Sequence, residues 1–256
     1  MEDQSMLMEG KKGVVFGVAN KWSIAWAISK ELQKEGAQIL LAYLGDEEKI
    51  KELASEINAK VFPCDVSKDE DITKLFEFVG KEFGKIDFIV HSIAFAPKEA
   101  LQGRYLDTSR EAFKIALDIS AYSLVKVTKE AENYLNDNSA IITMTYLGSV
   151  RAVPNYNVMG VAKAALESSV RYIAYDLGSR GIRCNAISAG PIKTLAARGI
   201  SGFMGMYEEY PKRSALKRNV APEEIGKTAL FLLSDMSSGI TGEVIYVDAG
   251  YEMMGM

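Results

Sequence analysis

Residues 143 to 170 read TMTYLGSVRAVPNYNVMGVAKAALESSV. The stretch begins as an apolar, β-branched run ending at Tyr146, the pattern of a buried strand. A loop follows, and Pro154 predicts the opening of a long helix, because a first-turn residue needs no N–H partner. Tyr156 and Lys163 fall on that expected helix, seven residues apart. Seven residues are about two turns, so the side chains are expected on one face, about 10 Å apart along the axis. A nearby ammonium favours the phenolate, and the pair suits proton and charge handling. Alone, a tyrosine and a lysine at this spacing describe a solvated helix face; the surrounding chain decides.

Outward from this stretch the same alternation recurs. Apolar runs at 12–18, 38–43, 60–65, 86–92, 140–146, 182–188 and 243–250 read as seven strands. Between them lie helical patterns. Ile24, Ala27, Ile28 and Leu32 form one apolar stripe that stops at Gly36. Asp46 to Ile57 reads as the next helix. Ser67 and Glu70 predict a capping box ahead of a stripe of Ile72, Leu75, Phe76, Val79 and Phe83. Thr108 and Glu111 predict a second box before a helix reaching about Leu135. Asn155 to Ser179 is a long helix, and Pro222 opens another. The strands are continuous apolar runs, as expected when helices cover both faces of a sheet. The expectation is a single doubly wound, Rossmann-type α/β domain spanning 1–256, with a seven-stranded parallel sheet and helices on both faces. One segment breaks the rhythm. Pro191 to Arg218 is long for a connection and carries Gly199, Gly202 and Gly205 among Phe203, Met204 and Met206, which predicts a substrate-binding loop insertion for an apolar ligand.

Composition narrows the function. The chain has 256 residues, 48% hydrophobic and 25% charged, enough for a sizeable core. A net charge of -4 lacks the basic excess of a nucleic-acid binder. Cys64 and Cys184 with the one histidine, His91, fit no metal-ligand spacing, and both thiols are expected free and buried. No apolar run reaches the ~18 residues of a membrane span. The acidic, polar opening MEDQSMLMEGKKG differs from a signal peptide, so a cytoplasmic protein is expected.

Three further stretches bear on chemistry. The turn GVANKWSIA, Gly17 to Ala25, joins a strand end to a helix N-terminus, a ready pyrophosphate site. It holds only one glycine of the usual dinucleotide fingerprint, so a plain structural turn is an equal alternative. Asp65 ends a strand and serves either a ligand crevice or a helix cap. His91 reads as a structural histidine, since nothing pairs it with a nucleophile.

Taken together, HSIAFAP (91–97), YLGSVRAVPNYNVMGVAKA (146–164) and NAISAGPIKTLAARGI (185–200) resemble the NADH-type enoyl-acyl-carrier-protein reductases of bacterial fatty-acid synthesis, divergent short-chain dehydrogenases. The likeness runs through nearly the whole chain, in order. Ordinary short-chain dehydrogenases place a tyrosine four residues before the lysine, where Met159 stands here; Tyr156 with six intervening residues matches the enoyl reductases. The resemblance implies NADH as cofactor and an enoyl chain on acyl carrier protein as substrate. It implies Gly17, Ser23 and Ile24 at the pyrophosphate, Leu44 near the adenosine, and Asp65 with Val66 beside the adenine. Ile93 would pack on the ribose or nicotinamide side, and Lys163 would hold the nicotinamide ribose hydroxyls. Ile192, Lys193, Thr194, Leu195 and Ala196 would close over the nicotinamide. Ala96 would touch the thioester, with Tyr146 and Tyr156 at the reacting carbonyl. A homotetramer is also implied; Ala112, Ala116, Ala121, Ala162 and Ala165 supply small residues for helix contacts. Basic residues at Arg198, Lys212, Arg213, Lys217 and Arg218 would meet the acidic carrier. A carbonyl reductase of the same fold and a non-catalytic dinucleotide sensor are the competing functions.

Overall fold

Seven parallel strands form one sheet in the computed structural model, which describes residues 6–195 and 197–255. The strands are β1 (Lys12–Phe16), β2 (Gln38–Tyr43), β3 (Lys60–Pro63), β4 (Ile86–His91), β5 (Leu135–Thr145), β6 (Arg183–Ala189) and β7 (Val244–Val247). Their order is β3-β2-β1-β4-β5-β6-β7. The chain therefore winds outward from β1 in one direction and, after returning to β4, outward in the other. The point of reversal lies between β1 and β4, which pair directly from Gly13 with Phe88 to Phe16 with His91.

The period of two along each strand sorts side chains into two cores. Val15, Leu41, Val90, Ile142 and Ile187 point to one face. There they meet α1 (Ile24–Lys34), α2 (Glu47–Glu56) and α8 (Pro222–Leu233). Val14, Leu40, Ile89, Ile141 and Ala186 point to the other. There they meet α3 (Asp69–Glu82), α5 (Ser123–Ala131) and α6 (Val158–Leu177). Two elements lie outside this sandwich: α4 (Arg110–Leu117) and α7 (Phe203–Arg213). Cys64 and Cys184 are buried free thiols, as expected.

Several expected boundaries move, each for a local reason. β1 stops at Phe16, because Gly17 turns the chain at φ 96°. The final strand is confined to Val244–Val247, and β5 begins earlier, at Leu135. The helix expected up to Leu135 is three pieces, since a wider π-type turn at Asp118–Tyr122 separates α4 from α5. Both capping boxes fail. Ser109, not Thr108, caps α4 by accepting from the Ala112 N–H at 3.1 Å. The Ser67 hydroxyl donates to Asp65 Oδ1 at 2.7 Å and so is drawn away from α3. Pro222 does open α8, with Glu224 Oε2 accepting from the Ala221 N–H at 2.9 Å.

Two corrections matter more for function. Tyr156 is not on α6. Asn155 and Asn157 adopt φ values of 65° and 44°, left-handed backbone that no helix continues, so the helix begins only at Val158. The expectation that Tyr156 and Lys163 share one helix face is therefore wrong. Ala112, Ala116, Ala121 and Ala162 are also spoken for, being buried in the chain's own core.

Candidate active site

The sequence-selected residues lie at the carboxyl end of the sheet, where open α/β sheets bind ligands. Gly17 follows β1, Leu44 follows β2, Asp65 and Val66 follow β3, and Ile93 and Ala96 follow β4. Tyr146 follows β5, and Ile192 to Leu195 follow β6. Ala196 lies outside the described residues, as does the side chain of Arg198.

At the point of reversal, Gly17 approaches the end of β4 so closely that an added Cβ would strike the Ser92 carbonyl oxygen. The positive φ and the missing side chain are both required there. Ser23 Oγ accepts from the Ala19 and Asn20 N–H groups at 3.0 and 3.1 Å, which shapes the turn into α1. That helix starts directly after the turn and has no acidic residue in its first turn. A bare glycine edge followed by a helix N-terminus free of negative charge fits a dinucleotide pyrophosphate.

Farther along the crevice, Leu44 is exposed and Ile93 half-buried. The Asp65 carboxylate is engaged by its own turn, accepting from the Ser67 hydroxyl and N–H and pairing with Lys68 at 3.5 Å. The Ser67 hydroxyl, foremost, holds it below the usual carboxylate range. Ile192 is buried. Lys193 is exposed and its Nζ sits 4.3 Å from the Tyr207 ring centroid, a cation–π contact with α7. Thr194 Oγ1 accepts from the Ala197 N–H at 3.1 Å, and Leu195 is exposed.

A third apolar cluster, apart from the two sheet cores, holds Ala96, Ala100, Ala112, Ala116, Tyr156, Val158, Met159 and Ala162, with Tyr146, Val153 and Ile200 against it. Ala96 and both tyrosines thus pack in one cluster. Tyr156 is 8% exposed, and burial pushes its hydroxyl far above the ordinary 10. Tyr146 is pushed up to about 12, also by burial. Both phenols are protonated donors, so desolvation overrides the phenolate expected from a nearby ammonium. The Tyr146 hydroxyl donates to Met206 Sδ at 3.3 Å, bringing α7 down onto the site.

Lys163 reaches the same place from α6. It is 4% exposed and donates from Nζ to the Met144 carbonyl at the end of β5, 2.7 Å away. Burial lowers it to about 8, against the raising influence of Glu167. His91 is fully buried, its Nδ1 2.9 Å from Thr143 Oγ1 and its Nε2 2.8 Å from Ser123 Oγ. Burial first, then the Lys163 charge, lowers it to about 3, so it is neutral and structural, as expected.

Three contributors were not selected from the sequence. Gly148 packs against Tyr156, leaving no room for a Cβ beside the ring. Gly160 lets α6 approach that loop; a Cβ there would meet the Gly148 carbonyl oxygen at 2.6 Å. Glu167, 7% exposed, accepts from Thr145 Oγ1 at 2.6 Å. The glycines carry no signal without coordinates, whereas Glu167 stands four residues after Lys163, one helical turn.

Comparison with known proteins agrees with this geometry. The family model described as "Enoyl-(Acyl carrier protein) reductase" matches residues 17–252. An enoyl-[acyl-carrier-protein] reductase [NADH] of Rhizobium meliloti is 52% identical over 259 residues, covering 100% of this chain and 95% of the relative. One from Bacillus cereus is 48% identical, covering 97% and 99%. The crystal structure of the Aquifex aeolicus enzyme superposes with a TM-score of 0.95 at 50% identity, covering 98% and 99%. The Anaplasma phagocytophilum enzyme, solved in complex with NAD, superposes with 0.95 at 45%, covering 98% and 97%. With a match that spans the sheet, the crevice and the tyrosine cluster alike, the chain belongs to the enoyl-acyl-carrier-protein reductase family.

Proposed function

We propose that the chain reduces the trans-2 double bond of enoyl thioesters on acyl carrier protein with NADH, the last step of the fatty-acid elongation cycle. The observation that carries this is the apolar cluster in which Tyr146 and Tyr156 stand protonated with Ala96, at the same carboxyl end of the sheet as a turn fit for a dinucleotide. Relatives about half identical along their full length bear the same activity in their names.

The nicotinamide, when bound, supplies the hydride. Gly17, Ser23 and Ile24 would receive the pyrophosphate, Lys163 the ribose hydroxyls, and Ile192 to Ala196 the nicotinamide side. The chain's own task is the thioester oxygen, where negative charge develops as hydride adds to the β-carbon. A preorganised donor there stabilises the transition state more than the ground state. Tyr156 is that donor, kept as a phenol by burial. Tyr146 packs in the same apolar cluster. The segment 191–218, which contains α7, serves as the substrate-binding loop of a single catalytic domain.

The protein works in the cytoplasm as a homotetramer. No helix among the described residues is long and apolar enough to cross a membrane. The assembly rests on exposed aromatics, Tyr122 beside α5 with Tyr172 and Tyr175 on α6, the last 84% exposed. A monomer in light scattering would remove the tetramer.

The test of function is NADH consumption by the purified protein with crotonyl and acetoacetyl thioesters in parallel. Turnover of the enoyl thioester alone is expected. Turnover of acetoacetyl thioester alone would make it a carbonyl reductase, and NADH binding without turnover of either would make it a sensor.

A further inference from the structure

Lys163 and Glu167 are both buried on α6, one turn apart. Each is tied to a neighbouring residue at the end of β5. Lys163 Nζ donates to the Met144 carbonyl at 2.7 Å, and Glu167 Oε1 accepts from Thr145 Oγ1 at 2.6 Å. Helix and strand are thus joined by both side chains, bonded to consecutive residues of the strand. A carboxylate is costly to bury without compensation, and a single threonine hydroxyl is modest compensation. The functional scheme above gives this carboxylate no task.

We propose that Glu167 is a positioning residue for Lys163, its carboxylate keeping the lysine an ammonium at the place where the ribose of NADH is received. The proposal rests on the reductase reading for the ribose, but the charge coupling does not. The groups around the pair leave Glu167 as its counter-charge. His91, from β4, is neutral. Tyr146 and Tyr156, from the apolar cluster, are protonated. Tyr246, from β7, faces Glu167 and is also held above its ordinary value, chiefly by burial. Ser123 and Thr143 carry no charge. Burial lowers Lys163 to about 8, with Glu167 opposing that fall. Without the carboxylate the ammonium would be lost at a lower pH.

The experiment follows Lys163 by NMR in protein labelled with 13C at the lysine Cε, free of cofactor, the signal assigned by Lys163→Arg. In Glu167→Gln the titration midpoint should fall by about one pH unit or more. Glu167→Asp keeps the charge but withdraws it by one methylene; its midpoint should fall by less, and it serves should the glutamine variant fail to fold. NADH dissociation constants should match the wild type near pH 6 and weaken about tenfold near pH 8 in Glu167→Gln. An unchanged Lys163 midpoint in a folded variant overturns the proposal. A shifted midpoint in a protein that binds no NADH, even as wild type, would instead overturn the reductase reading and leave the coupling intact.

Discussion

The ring of Tyr156 stands edge-on to that of Tyr146, centroids 5.0 Å apart and planes at 71°. The contact holds Tyr156 although it lies in a turn and not on a helix. It also makes the two phenols inequivalent. The Tyr146 hydroxyl is engaged by Met206, while Tyr156 is the more deeply desolvated. Tyr156→Phe should therefore lower kcat on an enoyl thioester by about 10² to 10³, the loss seen for one oxyanion donor. NADH affinity should hardly change. Tyr146→Phe should cost less. Wild-type kcat in both, with folding and NADH binding intact, would remove the tyrosines from the chemistry.

Gly148 sets the position of the Tyr156 ring from below. In Gly148→Ala the new methyl must displace that ring, because its Cβ would strike the Tyr156 ring, with the Tyr146 ring at 3.4 Å. Misplacement of a reacting group by about 1 Å can cost about 10²-fold in rate. We expect kcat to fall by about 10- to 100-fold with NADH affinity retained, since the dinucleotide turn lies elsewhere. Unaltered steady-state kinetics would show that the ring has room to yield.

The sheet and its functional edge were legible because buried parallel strands are continuous apolar runs, and the crevice lies where those runs end. Tyr156 was misplaced for a specific reason. Proline opens helices, so Pro154 reads as a start, yet asparagine tolerates left-handed backbone and Asn155 and Asn157 both adopt it. Two asparagines bracketing a tyrosine were a turn signal that the proline masked. The break between α4 and α5 has no comparable signature, since Asp118–Tyr122 contains neither proline nor glycine. Glu167 was visible by spacing but not by burial, because a glutamate on a helix is expected to face water.

Cofactor preference follows from the end of β2. Asp46 and Glu47 put negative charge just after β2, the place where folds of this type read the ribose 2′ position. Their lysine partners soften it: Lys49 lies 3.1 Å from Asp46, and Lys51 lies 2.8 Å from Glu47. We expect kcat/KM to favour NADH, and Asp46→Asn, which retains an acceptor for the α2 cap, to narrow the ratio. A preference for NADPH in the wild type would contradict this.

For the carrier, the basic candidates on and after α7 are unequal. Lys212 is paired with Glu209, and Arg218 makes two 2.7 Å bonds to Glu224. Arg213 is exposed with no carboxylate partner among the described residues, and is the better contact for an acidic surface. Arg213→Glu should raise KM several-fold for carrier-bound substrate and leave a coenzyme A analogue unaffected. Equal effects on the two substrates would place the carrier elsewhere.

His91 ties acid stability to the site. Its imidazole is neutral in the fold and holds Thr143 on β5 and Ser123 on α5. Folding lowers it from 6.5 to about 3, so between those values the unfolded chain binds a proton that the folded chain does not. Stability is unaffected above about pH 6.5, and declines as pH falls below it, by about 1.4 kcal/mol per pH unit for this one proton. His91→Gln cannot take up that proton in either state. It should be less stable than the wild type near neutrality, where the wild type keeps both of its hydrogen bonds. The gap in thermal unfolding midpoint should then close as pH falls from about 7 to about 5, because only the wild type pays the protonation penalty. A gap that stays constant across that range would mean that His91 titrates normally and is not the neutral bridge between β5 and α5.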